Sequence, residues 1–430
     1  MAEYEVKDGV GIIPDSIVEI SSCAFSYHEG LRTIIIPNSV TKIGSGAFSG
    51  CTGLTSIIIP ESVTEIGIGA FSGCTGLTSI IIPDSVTKID YTAFNGCTGL
   101  TNLVIGKSVN SIQYDTFKGC SSLKSIVVVK DNIIFDSRND CNAIIMTEYN
   151  KLMLGCSNTI IPESVTDIYR EAFWGCTGLT SIALPKSVKY ISNDAYWGCT
   201  GLRSIKVADG NKIYDSRNNC NAIVKTQSNE LICGCKNTII PDSVTKIGNG
   251  AFCGAEALTS IVIPDSVTEI GSRAFACCNV LTSVRISNSI EWIDEDAFSG
   301  CTGLTSIVLP ESLKGIEGYV FSHSGLTSIV VPNSVTEILY GAFFNCKALK
   351  SASILGPIKK MMGTFIDCSE LETVTLGAGI KTIDDEVFRG CSSLKTINVP
   401  AKKADYYKKR LPANLHSLIV ELPVEKKAKK

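Results

Sequence analysis

A motif of 23 residues recurs along most of this 430-residue chain, and it limits the fold more than any other feature. The clearest copy lies within IPESVTEIGIGAFSGCTGLTSIII, from Ile59 to Ile82, in which Ile82 is the first residue of the next copy. A repeat of about 20 to 30 residues is typical of a solenoid, in which each copy forms one coil. Fourteen aromatic residues mark the copies: Phe25, Phe48, Phe71, Phe94, Phe117, Phe173, Tyr196, Phe252, Phe275, Phe298, Phe321, Phe343, Phe365 and Phe388.

Each copy has the pattern of a coil built around short strands. The segment LTSIIIP, which begins at Leu54, is rich in β-branched residues and ends at a proline that cannot donate to a ladder. It predicts one short parallel strand whose Leu54, Ile57 and Ile59 point into the core. One coil cannot bury enough apolar surface to fold alone, so neighbouring coils must share a core. We therefore predict a β-dominated solenoid of about 14 coils of 22–23 residues.

Two insertions and two terminal segments depart from the repeat. The aromatic spacing widens to 56 residues between Phe117 and Phe173 and again between Tyr196 and Phe252. Both inserts contain the string DSRNxCNAI, and each predicts a β-hairpin. The predicted organisation is an N-terminal cap at 1–13, a repeat domain at 14–400 with hairpin insertions at about 129–160 and 208–239, a C-terminal cap at 401–424 and a disordered basic tail at 425–430.

The cysteines follow the repeat. Because equivalent strand residues lie about 4.8 Å apart with parallel side chains, cysteines in one slot cannot pair without strain and should remain buried, free thiols. The predicted hairpins place Cys141 opposite Cys156 and Cys220 opposite Cys235, where disulfides can form in an oxidising environment. Eleven of the nineteen cysteines occupy the slot three residues after the aromatic residue: Cys51, Cys74, Cys97, Cys120, Cys176, Cys199, Cys278, Cys301, Cys346, Cys368 and Cys391.

The sequence contains no motif with the spacing of a catalytic or metal site. Cys233 and Cys235 lack the paired spacing of a zinc site, and the loop at Asp136 loses a carboxylate in its second copy, which favours an Asx-type turn over a calcium site. We expect no enzyme activity, no metal and no cofactor. The histidines are scattered and are interpreted as cap or loop residues: His28, His323 and His416.

Composition and the chain ends exclude further classes of partner. No run of about 18 apolar residues is present, which predicts no membrane insertion. The basic ending EKKAKK has no interleaved aromatic residues, which disfavours nucleic-acid binding. The start MAEYEVKDGVGIIPDS lacks a basic region followed by an apolar one, and this indicates a cytoplasmic rather than a secreted protein.

One position of the predicted strand is the best candidate for binding. This outward slot, held by Ile58 between the inward Ile57 and Ile59, carries aliphatic residues on five consecutive coils and turns polar further along. A contiguous exposed apolar stripe normally marks a contact surface, although β-branched residues also simply suit strands. The slot continues through Ala183, Val262, Val308, Val330, Ser353, Thr375 and Asn398, and its candidate binding residues are Ile35, Ile58, Ile81, Val104, Val127, Lys206 and Arg285.

The repeat IPxSVTxIGxxAFxGCxxLTSIxI resembles that of the BspA-like, Treponema pallidum-type leucine-rich repeat family of gut and oral bacteria. The resemblance covers residues 14 to about 400, and the DSRNxCNAI inserts and the VPAKKADYYKKRLP ending are similar to elements of such proteins. It implies a leucine-rich repeat solenoid, a right-handed α/β horseshoe-type superhelix dominated by β-structure. It also implies a protein that works by binding, often as a cell-surface adhesin.

We therefore expect a non-enzymatic protein-binding scaffold that uses its concave strand face. The resemblance implies a host protein or another cell-surface protein as the partner, and it places the chain at the cell surface or outside the cell. A cytoplasmic protein–protein interaction module and a self-associating structural rod remain alternatives. The expected state in solution is a monomer or weak self-association.

Overall fold

The computed structural model describes residues 4–113 and 115–423, and it consists of two compact units. The first unit comprises Met1–Leu202 and Lys206–Ile213, and the second comprises Arg203–Ile205 and Tyr214–Lys430. The predicted β-dominated solenoid is confirmed, because nearly all regular structure is strand. The count of about 14 coils was too low: there are about 18 turns, because each insertion and each terminal cap adds one to the fourteen aromatic coils.

One row of strands carries the outward slot; we call it row A. In the described chain its strands are Thr33–Ile35, Ser79–Ile82, Asn102–Ile105, Ser125–Val128, Ser181–Leu184, Ser204–Val207, Ser260–Val262, Ser283–Arg285, Ser328–Val331, Ser351–Ile354, Thr373–Leu376, Thr396–Val399 and Ile419–Glu421. Pairing within the row is parallel with equivalent residues in register, as for Ile81, Val104 and Val127. Equivalent side chains of successive coils therefore stand beside one another.

A second row, row B, has two residues per strand. In the described chain its strands are Glu19–Ile20, Lys42–Ile43, Glu65–Ile66, Lys88–Ile89, Ser111–Ile112, Asp167–Ile168, Tyr190–Ile191, Lys246–Ile247, Glu269–Ile270, Trp292–Ile293, Gly315–Ile316, Glu337–Ile338, Lys360–Met361 and Thr382–Ile383. The second residue of nearly every strand is an isoleucine that points into the core. Rows A and B thus bury aliphatic side chains from both sides of each coil.

The aromatic residue of each coil stacks on that of the next coil. Phe71 lies between Phe48 and Phe94, with ring centroids 5.2 and 5.1 Å away and ring planes within 11° of parallel. The first unit continues such a stack from Phe25 to Phe117, and the second unit has one from Phe252 to Phe388. The stacks form the centre of each core.

The turn after each aromatic residue needs a left-handed backbone. Gly73 adopts a φ of 72°, and glycine fills the same position in most coils because it has no Cβ to clash there. His323 and Cys277 occupy this position with φ values of 56° and 57°. His323, interpreted from the sequence as a loop residue, is thus in the turn, where its ring packs 5.4 Å from that of Phe344.

Both ends of the chain are covered. Strands Glu5–Lys7 and Val10–Ile12 form an antiparallel pair, and the second of them pairs in parallel with Thr33–Ile35. At the other end, the α-helix Ala404–Lys408 and the 3-10 helix Ala413–Leu418 lead to the last strand of row A, Ile419–Glu421. Tyr407 of the α-helix is fully buried and donates a hydrogen bond to the Gly377 carbonyl. The tail predicted at 425–430 lies outside the described residues.

The two insertions have the same structure. The first contains Phe135–Asp136, the 3-10 turn Arg138–Asp140 and the antiparallel strands Ala143–Met146 and Lys151–Gly155. The second contains Tyr214–Asp215, Arg217–Asn219, Ala222–Lys225 and Glu230–Gly234. In both, the last strand pairs in parallel with the next strand of row B, so that the hairpin takes the place of a coil.

An arginine closes the DSRN loop of each insertion. The Arg138 guanidinium pairs with Asp136 and donates to Asn150 Oδ1 at 2.7 Å, and Arg217 repeats the second contact with Asn229 at 2.7 Å. Burial would raise the pKa of Asp136, but the hydrogen bonds from Arg138 outweigh it and hold this pKa below its usual range. A guanidinium therefore neutralises the carboxylate that a calcium loop would need.

The predicted cysteine register in the hairpins was wrong by one residue. Ala143 pairs with Gly155, which sets Cys156 beside Asn142, and the Cys156 Sγ donates to the Asn142 carbonyl at 3.3 Å. The same shift sets Cys235 beside Asn221 in the second hairpin, away from Cys220. The cause is a bulge in the second strand of each hairpin, where Met153 and Ile232 are the extra, unpaired residues.

Candidate functional site

In the first unit, the outward slot of row A is an exposed aliphatic stripe. Ile35, Ile58 and Ile81 are 63%, 83% and 65% exposed, Val127 is exposed and Val104 is half-buried. The residues on either side of each point into the core, as in an extended chain whose side chains alternate. The strand predicted from Leu54 does not form, however: the segment around Ile58 is not a regular strand, and the Thr78 N–H of the next coil lies 3.5 Å from the Thr55 carbonyl. The structure therefore brings the five predicted aliphatic residues together on one surface.

Three slot residues were missed by the sequence analysis. Ile12 of the N-terminal cap pairs with Ile35 and extends the stripe by one strand. Ile160 and Ile239, at the ends of the two insertions, are 73% and 77% exposed. The signal was present in the sequence, because both precede a proline by two residues, just as Ile58 precedes Pro60.

The second unit has an outward slot of its own, whose apolar character decreases along the chain. Val262, Val308 and Val330 are exposed, and they are followed by Ser353, Thr375 and Asn398. In the row A register, Val330 aligns with Ser353, then with Thr375 and Asn398. The change from aliphatic to polar residues thus occurs along one continuous row.

The slot carries two cations, Lys206 and Arg285, and both are exposed. Each lies two coils after an insertion, 46 residues beyond Ile160 and Ile239 respectively. Arg285 approaches Asp265, with nitrogen and oxygen atoms 4.0 Å apart, a weak pairing at the surface. These two candidate residues therefore have equivalent places in their own units.

A groove follows each insertion on the row A face. The first has a volume of about 700 Å³ and is lined by Ile160, Ser181, Ala183 and Lys206 among others. The second has a volume of about 570 Å³ and is lined by the equivalent residues, which are Ile239, Ser260, Val262 and Arg285. The predicted cations are therefore groove residues.

A smaller cavity of about 230 Å³ lies beside the first hairpin, with Met146 and Met153 at its apolar side. Lys118 is at its polar side, with Nζ 2.7 Å from Glu171 Oε1 and 4.2 Å from the centre of the Trp174 ring. Burial, together with the nearby Asp115, raises the pKa of Glu171. The second insertion has Trp197 and Gly250 in place of Lys118 and Glu171, so this cluster is not a feature of the repeat.

The cysteine slot has a role that the sequence did not reveal. The Cys74 Sγ donates to the Phe48 carbonyl at 3.1 Å, and Cys97 repeats the contact with the Phe71 carbonyl at 3.1 Å. Each thiol thus links its coil to the preceding one, besides filling space in the core. All nineteen cysteines lie in the described part of the chain and none forms a disulfide there, including Cys141, Cys156, Cys220 and Cys235.

A thiol titration should reflect this burial. In the native protein, a charged aromatic disulfide reagent at pH 8 should react within minutes with two thiols, Cys23 and Cys277, which are the exposed ones. After denaturation without reductant all nineteen should react. A denatured count of about 15 would instead show that both predicted hairpin disulfides had formed.

Residues 4–113 and 115–423 contain neither a cluster of metal ligands nor a helix that could span a membrane. No group of three or more His, Cys, Asp and Glu side chains in these ranges is placed to hold a metal ion. No helix in the same ranges is long and apolar enough to cross a membrane.

Known proteins share both the repeat and the fold. The BspA type leucine-rich repeat region matches residues 12–139, 149–232, 224–350 and 309–413, which together span most of the chain. The chain belongs to the BspA-type leucine-rich repeat family. The resemblance seen in the sequence is therefore confirmed, and no curated protein gives a significant match.

Several solved structures are similar to this leucine-rich repeat chain. A leucine-rich cell surface protein from Faecalibacterium prausnitzii A2-165 is 27% identical, with a TM-score of 0.50, over 93% of this chain and 89% of that one. A leucine-rich repeat protein of T. pallidum is 29% identical, with a TM-score of 0.34, over 40% of this chain and 86% of that one. The pneumococcal vaccine antigen PcpA is 19% identical, with a TM-score of 0.48, over 98% and 96%.

Proposed function

We propose that this protein is a non-enzymatic binding scaffold that attaches to a host protein or another cell-surface protein through the outward slot of row A. The observation that supports it is the stripe of aligned, exposed aliphatic residues in the first unit, from Ile12 through Ile58 to Val127. Burial of such a stripe removes apolar surface from water, which drives most protein association.

Family membership supports the same role. Leucine-rich repeats typically serve protein interaction rather than catalysis, and a similar solved structure is that of a cell surface protein. The cell surface is accordingly the proposed location, and adhesion the proposed activity. A cytoplasmic interaction module would use the same slot with a different partner.

The double variant Ile58→Asp/Ile81→Asp should bind at least about tenfold more weakly, because two charges would be buried without partners in the interface. The readout is binding of fluorescently labelled protein to a layer of epithelial cells. Both side chains are exposed, so the fold should be unchanged by circular dichroism and thermal unfolding.

The matched control is Ile68→Asp/Ile133→Asp, which adds the same charge at exposed isoleucines outside the slot. It should bind as the unmodified protein does. Equal binding by the slot variant would overturn the proposed surface, and no binding by the unmodified protein would overturn adhesion to such cells. Self-association that the slot variant abolishes, measured by sedimentation velocity, would instead identify the slot as a contact between copies.

A further inference from the structure

The geometry points to an extended peptide as the ligand of the two grooves. Each groove binds a segment of another protein as an added strand beside Ser181–Leu184 or Ser260–Val262. An aliphatic side chain of that segment contacts Ile160 or Ile239, and an acidic one lies near Lys206 or Arg285. This inference rests on the protein-binding function proposed above and specifies the kind of partner.

The first argument is an open sheet edge. In row A, the outward residue directs its main-chain N–H and C=O toward the preceding coil, as shown by the Ile263 N–H that donates to the Arg285 carbonyl at 2.9 Å. Ala183 and Val262 hold the same position in the strands that follow the insertions. Within the described chain, their N–H and C=O groups have no main-chain partner, so each strand is paired on one side only. Unpaired edges of this kind accept an added strand.

The second argument is that the insertion binds the segment before the open strand by contacts of its own. In a regular coil, the Thr55 N–H donates to the Arg32 carbonyl at 2.9 Å, which keeps that segment beside its neighbour. At the insertion, the Ile160 N–H donates to Cys141 and the Thr159 hydroxyl to Asn142, at 3.1 and 2.6 Å.

The second insertion repeats these contacts. The Ile239 N–H donates to Cys220 at 3.1 Å, and the Thr238 hydroxyl donates to Asn221 at 2.6 Å. The two grooves are therefore built in the same way in separate units, and in each the hairpin anchors the segment that precedes the open strand.

The third argument is the chemistry of the groove. Ile160 and Ile239 expose most of their side chains on one wall, and Lys206 and Arg285 are on the other side of the open strand. These two are the cations of an otherwise aliphatic or polar slot, which favours a carboxylate on the partner. Glu163 and Asp242 also line the two grooves, and they would repel an acidic side chain of the peptide that lay beside them instead of beside the cation.

The test is panning of a random octapeptide library on phage against the full-length protein. Selected peptides should combine aliphatic residues with Asp or Glu. A synthetic copy of the most frequent sequence should bind at least tenfold more weakly when alternate amides are N-methylated, because those N–H groups form the added ladder. Exchange of its acidic residue for Lys should weaken binding by a similar factor.

Matched variants distinguish peptide binding through main-chain hydrogen bonds from binding through side chains. Ala183→Pro/Val262→Pro removes the edge N–H groups without breaking an internal bond, since proline is tolerated on an edge strand, and should abolish peptide binding. Ala183→Val/Val262→Ala keeps these groups and should bind normally. Lys206→Glu/Arg285→Glu should lose the preference for acidic peptides.

The outcomes also separate this inference from the proposed function. No selected peptide, or peptides that bind the proline variant as tightly as the unmodified protein, would overturn the inference. One outcome is that the variant Ile58→Asp/Ile81→Asp loses cell binding while still binding peptides, with peptide binding lost in Ala183→Pro/Val262→Pro. That result would support both the peptide grooves and the proposed binding through the stripe. If cell binding is unaffected by the slot variant while peptides still require Ala183 and Val262, the grooves stand and the stripe proposal fails.

Discussion

Replacement of Phe71 by alanine is expected to lower the free energy of unfolding by about 3 to 5 kcal/mol. Phe71 is fully buried and stacks between Phe48 and Phe94, so its removal leaves a cavity that two neighbouring coils share. The surrounding backbone cannot collapse into that cavity, since the Phe71 N–H donates to the Ala93 carbonyl at 2.7 Å and its carbonyl accepts from Cys97 at 3.1 Å. Urea unfolding followed by circular dichroism measures the loss.

The control for Phe71→Ala is Ile58→Ala, which truncates an apolar side chain that is 83% exposed in the same stack of coils. It should change stability by less than about 0.5 kcal/mol. Hydrogen exchange should show lost protection on the coils next to Phe71, because each coil contacts only its neighbours. A loss below about 1 kcal/mol would contradict a central role for the aromatic stack.

The parts of the fold that repeat were predictable from the sequence, since one short motif decides them. The spacing of LTSIIIP made Ile57 and Ile59 inward and Ile58 outward, and their burial agrees with it. The aromatic period likewise identified the core residues. Because the same local pattern occurs many times, every copy supports the assignment of the others.

The insertions were less predictable, because their structure depends on contacts that a period does not encode. Ala143, Ile144 and Ile145 are all buried, so strict alternation fails and the bulge that shifts Cys156 gives no sequence signal. The exposure of Ile160 follows from the anchoring of its segment by Cys141 and Asn142.

The smaller cavity depends on distant residues too. Lys118 and Glu171 are 53 positions apart in the chain and meet only because the hairpin between them takes the place of a coil. Their counterparts in the second insertion are Trp197 and Gly250, so the repeat pattern could not predict this ion pair.

Stability should fall steeply above about pH 9, which is the second large effect expected of this structure. Burial raises the pKa of Cys120, Cys176 and Cys301 to about 12 from an ordinary value of 9.0. These thiols stay protonated in the folded chain, whereas in the unfolded chain they ionise near pH 9. The contribution of these protonated thiols to the free energy of unfolding is therefore complete below pH 9. It declines as the pH rises toward 12, because the unfolded chain then binds fewer protons than the folded chain. Each of these cysteines should lower the free energy of unfolding by about 1.4 kcal/mol per pH unit in this range, and the three together by about 4 kcal/mol per unit.

Urea unfolding midpoints between pH 8 and 11, measured with reductant present, give this slope. The variant Cys120→Ala/Cys301→Ala should reduce it by about 3 kcal/mol per pH unit, because two of the buried thiols no longer ionise on unfolding. Cys23→Ala/Cys277→Ala is the matched control, since both of these thiols are exposed. A slope that depends on the exposed pair, or one that the buried pair leaves unchanged, would assign the alkaline loss to other groups. The slot cysteines would then matter for packing and for their bonds to the preceding coil, but not for the pH dependence of folding.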